Sequence, residues 1–199
     1  MSAKKQPLGK LPDSAFGMLE LPRLPADLLA RLRQLSGQLG ATPFMTVLAA
    51  FGVLLFCWSG QPDICIGSPM LGRHDPATER LIGFFINTVV LRLRMHGQAT
   101  FRELVQRARE TTMDVLAHQD LPFDKIVEAI SPPRDLSRMP LFQVNLRVQA
   151  GAAKQLELPG LETEPSTFLD SGTSKFDVGL EVPSTAGAVG FWEFSTDLF

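Results

Sequence analysis

Between Phe44 and Trp58 the chain runs FMTVLAAFGVLLFCW, fifteen positions without a charge. A segment that is apolar nearly all round has to be covered on most sides, so the remaining residues must build a body around it. As a helix it is about 22 Å long at roughly 1.5 Å per residue, well short of the ~30 Å hydrocarbon core of a bilayer. Thr42 supplies a cap, Pro43 suits the first helical position, and Gly60 supplies a stop. The expectation is a buried core helix.

The flanking sequence supplies the cover. Leu24, Leu28, Leu32, Leu35 and Leu39 recur at three- and four-residue spacing, which predicts an amphipathic helix that Pro25 opens and Gly40 ends. A third helix begins at Thr100, with Phe101, Leu104, Val105, Ala108, Thr112 and Val115 on one stripe, and ends near His118. Leu121-Pro122 turns the chain, and a short helix follows over 123–130. Strands are read from other patterns. DICIGSPML, from Asp63, has the continuous apolar character of a central strand. INTVVLRLRM alternates, with Asn87, Val89, Leu91 and Leu93 on one side. Phe142, Val144, Leu146 and Val148 alternate with Gln143, Asn145, Arg147 and Gln149. Phe176 to Val182 and Val189 to Ser195 give two more strands, joined by the turn PSTAG. Mixed elements followed by strands predict an α+β fold, a mixed β-sheet with helices packed on one side. Residues 1–20 read as a flexible lead-in and 21–199 as one domain. The ending, EFSTDLF, stops on an apolar residue straight after a strand, as a cut chain would.

Charge narrows the function classes. A net charge of −2 with scattered basic residues gives no reason to expect nucleic acid or an anionic membrane as partner. The N-terminal stretch has no apolar run of signal-peptide type, which predicts a cytoplasmic protein. Cys57 and Cys65 sit in apolar runs and read as two buried thiols. His74, His96 and His118 are far apart and none pairs with a cysteine at ligand spacing, so no metal site is expected.

Four polar groupings remain. In HQDLPFD, His118 and Asp120 would suit a general base and its orienting group. Equally, Asp120 and Asp124 can accept backbone N–H bonds at the start of the following helix and hold a corner. In RDLSRMP, Arg134, Asp135 and Arg138 form either a salt-bridged loop or a ligand clamp. Asn87 is either a satisfied core amide or a group aimed at a ligand passage. The row Gln143, Asn145, Arg147 and Gln149 faces water, or a second domain. No nucleophile elbow and no glycine-rich phosphate loop is present.

Three segments in fixed order resemble the later signature motifs of nonribosomal peptide synthetase condensation domains. IGFFINTVVLR (82–92) is similar to the family's I-G-x-F-V-N-T, HQDLPFD to H-Q-D-x-P-F-E, and RDLSRMPLF to R-D-x-S-R-N-P-L-F. DICIGSPMLGR upstream looks like the strand and arginine that precede the first of these. Met139 stands where the family usually has asparagine, and Asp124 where it has glutamate. The resemblance runs from about Leu21 to Phe199.

That resemblance implies a chloramphenicol-acetyltransferase-like lobe, the C-terminal one of two that enclose a tunnel. Phosphopantetheine arms of two carrier proteins deliver thioesters to such a tunnel, where an amine attacks a thioester and an amide bond forms. The motif with the central histidine, H-H-x-x-x-D-G, belongs to the first lobe and is absent here, since no two histidines are adjacent. The chain is therefore expected to carry no catalytic residue and to bind no cofactor directly. Its implied partners are an N-terminal lobe, in cis or in trans, peptidyl carrier proteins and a downstream adenylation domain. A module that only recruits a carrier protein is the alternative. By position, Asn87, Arg73 and Asn145 are the tunnel-side candidates, with Arg73 expected to pair with the missing motif's aspartate. His118, Asp120, Asp124, Arg134, Asp135 and Arg138 are assigned to structural corners.

Overall fold

The structure is a computed structural model of the 199-residue chain, and it describes residues 17–73, 75–133, 135, 138–149, 160, 174–185 and 188–199. Its elements run β1 (Gly17–Glu20), α1 (Ala26–Gln38), α2 (Pro43–Ser59), β2 (Asp63–Met70), β3 (Asn87–Arg94), α3 (Phe101–Ala117), α4 (Phe123–Ile130), β4 (Val144–Val148), β5 (Val178–Val182) and β6 (Phe191–Phe194). The strands form one mixed sheet in the order β1-β6-β5-β4-β2-β3. β2–β4 and β4–β5 are parallel, and the other neighbours are antiparallel.

The long apolar run is α2, and it is the centre of the core. Thr42 caps it by accepting the Met45 N–H at 3.3 Å, and Gly60 ends it at φ +68°. Leu48, Ala49, Phe51 and Leu55 pack on Ile64, Ile66, Leu91, Leu93 and Leu146 from the sheet and on Leu104, Val105 and Ala108 from α3. α3 has its own capping box. Thr100 accepts from Glu103 N, and the Glu103 carboxylate accepts from Thr100 N at 2.7 Å, which holds that carboxyl below its usual range. From α3, Gln106 and Arg109 donate to the carbonyls of Leu39 and Gly40, tying down the end of α1.

Four expectations are corrected. First, residues 17–20 of the supposed lead-in form β1, an edge strand paired with β6 through Gly17↔Phe194 and Leu19↔Trp192; residues 1–16 lie outside the described residues. Second, α1 turns a different stripe inward. Leu39 is buried as expected, but Leu29 and Ser36 join it in place of Leu28 and Leu35, which are exposed. A polar residue is tolerated inside because the Ser36 and Thr46 hydroxyls bond at 2.8 Å across the α1–α2 contact.

Third, Phe142 leaves the alternation expected of it. Leu141 takes φ +70°, and the Phe142 ring lies against Gly67 instead of joining the row of Val144, Leu146 and Val148. By alternation Gly67 belongs to the sheet face opposite core-facing Ile66. There Phe142 meets Phe123 of α4 at 5.5 Å and Phe176 at 5.7 Å between ring centroids. Fourth, Cys57 is exposed, and Cys65 is half-buried with its thiol pushed above the ordinary value by that burial. Among the described residues no single helix is long and apolar enough to cross a membrane.

Candidate functional site

Several residues of the polar motifs make hydrogen bonds within the lobe. Asn87, at the start of β3, uses its whole amide on the HQDLPFD corner. Its Nδ2 donates to the carbonyls of Gln119 and Leu121, both at 2.8 Å, and its Oδ1 accepts the Phe123 N–H at 3.2 Å. Phe123 is the first residue of α4, whose own preceding residue is Pro122 and gives no side-chain cap. Asn87 is thus the N-cap of α4 supplied from a distant strand. The open choice for Asn87 resolves to a satisfied amide. His118 terminates α3, with Nδ1 2.9 Å from the Asp114 carbonyl oxygen, and is exposed. Asp124 sits in the first turn of α4, where its charge favours the helix dipole. Asn87, on a distant strand, thus holds backbone groups of this corner.

Arg73 is likewise committed within the lobe. Its guanidinium donates to the carbonyls of Thr78, Leu81 (3.0 Å) and Gly83 (3.4 Å), and stands 4.3 Å from the centroid of the Phe85 ring. Gly72 beside it has φ +61°, and a Cβ there would lie 2.1 Å from the Phe85 carbonyl oxygen. Arg73 and Gly72 together fold the segment between β2 and β3 into a closed loop. Asp135 and Arg138 pair at 3.9 Å on an exposed loop; Arg134 lies outside the described residues. Asn145 lies between Gly67 and Gly179 on the sheet face opposite Ile66, while its row-mate Arg147 pairs with Glu181, which also accepts from Gln149.

What these parts frame is a cleft of about 720 Å³ at the ends of β2 and β4. Phe44 from α2, Leu116 from α3, Met70 and Ile86 line its walls, and Ser68 lies among them. Arg73 and Gln119, each held as just described, form part of its border. Sequence patterning missed Ser68 because it sits in an apolar run that reads only as strand. Beside the cleft, the loop fixed by Arg73 carries a row of apolar side chains into solvent: Leu71, Leu81, Ile82, Phe84 and Ile86 are all exposed, Phe84 at 88%. Exposed apolar side chains grouped in this way are characteristic of surfaces that bind partners.

Comparison with known proteins identifies the class. The condensation-domain family model matches residues 17–199, and the chain belongs to that family. A linear gramicidin synthase of Brevibacillus parabrevis is 45% identical over 185 residues, covering 92% of this chain and 2% of its own length. Malpinin synthetase of Mortierella alpina is 45% identical over 175 residues, covering 87% of this chain and 2% of its own length. Among solved structures, a four-domain nonribosomal peptide synthetase bound to AMP and glycine superposes with a TM-score of 0.82 at 28% identity, over 92% of this chain and 15% of the other. The X-domain from teicoplanin biosynthesis superposes with a TM-score of 0.81 at 30% identity, over 92% of this chain and 42% of the other. The chain thus spans less than half of these relatives. The α+β sheet architecture is that of a condensation-domain lobe, and the match is to nonribosomal peptide synthetases of antibiotic and secondary-metabolite biosynthesis.

Proposed function

We propose that this chain is the C-terminal lobe of a condensation domain and supplies one wall of a tunnel completed by an N-terminal lobe. In that tunnel the amine of one carrier-bound aminoacyl thioester attacks the thioester of another. A C–N bond forms, the C–S bond breaks, and the released thiol stays on the donor's phosphopantetheine. The histidine that handles the amine's proton belongs to the other lobe. Carrier proteins and a downstream adenylation domain complete the partners, and the setting is the cytoplasm. The observation that carries this reading is the exposed row Leu81, Ile82, Phe84 and Ile86 beside a cleft that Ile86 also lines, on a chain that spans 42% of the teicoplanin X-domain.

The test is single-turnover peptide formation between two carrier proteins loaded with aminoacyl thioesters. The chain alone is expected to give no dipeptide above background, and the chain mixed with a separately expressed first lobe to give it. Alanine at the second histidine of that lobe's H-H-x-x-x-D-G motif should slow the reaction by roughly 10²–10⁴-fold, the usual worth of general acid–base help. Dipeptide from the pure chain would contradict the proposal.

A second reading, recruitment without chemistry, has one observation in its favour. The X-domain matched at 30% identity with a TM-score of 0.79 was solved in complex with OxyB. On that reading the two-lobe pair recruits a carrier protein or a tailoring enzyme and forms no peptide.

A further inference from the structure

The loop that carries the exposed row Leu71, Leu81, Ile82, Phe84 and Ile86 is held in shape by its own bonds. Asp75 accepts the Ala77 N–H at 2.8 Å, and the Thr78 hydroxyl donates to the Asp75 carbonyl at 2.6 Å. Arg73 donates to the carbonyls of Thr78, Leu81 and Gly83. Phe85 takes the inner position, its ring centroid 4.3 Å from the Arg73 guanidinium, while Ile82 and Phe84 stand almost wholly in solvent. An apolar surface fixed in this way loses little further freedom when something covers it. We propose that in the free chain a second copy of the same chain covers this row, the two loops meeting about a two-fold axis.

Charge selects the second copy. Between Leu71 and Ile86, Arg73 and Arg80 balance Asp75 and Glu79, so one such loop does not repel another. A strongly acidic or strongly basic partner finds no net charge to meet there. Glu79 and Arg80 are adjacent, exposed, and sit at the Leu81 end of the row. A two-fold axis at that end sets Glu79 of each copy against Arg80 of the other, the self-complementarity that an isologous contact requires. One patch used twice also needs no second complementary surface elsewhere on the chain. The loop is shorter than the roughly 20–30 residues a side of a standard interface, so the pairing is expected to be weak and reversible. It follows from the loop alone and does not need the acyl-transfer reading; a first lobe, where present, competes for the same row.

Sedimentation equilibrium of the 199-residue chain would be followed from about 1 to about 300 µM, the range in which so small an interface dissociates. Reducing buffer keeps the exposed Cys57 from cross-linking two chains. The average mass is expected to rise from one chain to two and to stop there, because an isologous contact closes at the dimer. Ile82→Asp should hold the mass at one chain throughout. Glu79→Arg and Arg80→Glu should each weaken the pairing by about tenfold, since symmetry places the pair in the interface twice and each change turns attraction into repulsion. An equimolar mixture of those two variants should pair as the unaltered chain does, each meeting its opposite charge on the other. A mass that stays at one chain, growth beyond two, a dimer indifferent to Ile82→Asp, or a mixture no heavier than its parts would overturn the proposal. A monomeric chain that still joins a first lobe removes only the self-pairing; a dimer that no first lobe displaces removes only the two-lobe reading.

Discussion

Gly67→Ala is expected to destabilise the lobe by about 2–3 kcal/mol, near the upper end of what overpacking ordinarily costs. The added Cβ would lie 2.1 Å from Cε2 and 2.5 Å from Cζ of Phe142, distances no real contact adopts. Phe142 has little freedom to retreat. It is 1% exposed and its ring meets those of Phe123 and Phe176. Trimming the ring should therefore relieve the clash. Phe142→Leu alone costs stability by opening a cavity, but in the Gly67→Ala background it should cost much less. Urea unfolding of the two single variants and the double variant measures this directly. Strict additivity would show that the ring does not lie on Gly67, because coupling is expected only between residues in contact.

Asn87→Ala should cost about 2 kcal/mol, since it strands the carbonyls of Gln119 and Leu121 and the N–H of Phe123 together. The sharper comparison is Asn87→Asp, which keeps size and shape. A carboxylate still accepts from Phe123 N but cannot donate, and it faces two carbonyl oxygens at the distance of the former hydrogen bonds. Asp is therefore expected to be at least as damaging as Ala near neutral pH, and to recover when protonated in acid. Hydrogen exchange should show faster opening of residues 119–124 in both variants, with no ligand present. An Asn87 that served only to meet a substrate would leave exchange and stability unchanged.

The regular elements were legible because their periods are. The alternation of β3 falls where spacing places it, as does the stripe of α3 except for Phe101, which is exposed, and the caps at Thr42, Thr100 and Gly60 mark ends by their own chemistry. Legibility failed where a residue's role depends on a distant partner. β1 is four residues, GMLE, without a period, and becomes a strand only because β6 lies beside it. Ser36 replaces a leucine stripe on α1 because Thr46 meets it. Phe142 departs from its strand because Leu141 takes a left-handed conformation that no local pattern announces. The site shows the same division. The motif residues were visible, but the backbone groups that Asn87 and Arg73 hold were not, and Ser68 carried no signal at all.

Two motif residues, then, fix the walls of a cleft, and the loop fixed by one of them turns apolar side chains outward. On the proposed function, the other lobe covers those side chains. The most direct measurement is sedimentation velocity of this chain mixed with an equimolar, separately expressed first lobe. One species of the combined mass is expected. Ile82→Asp with Phe84→Asp, two exposed positions whose change leaves the core intact, should return the mixture to two species. Two separate species from the unaltered chains, or a complex indifferent to that double substitution, would contradict the two-lobe assignment.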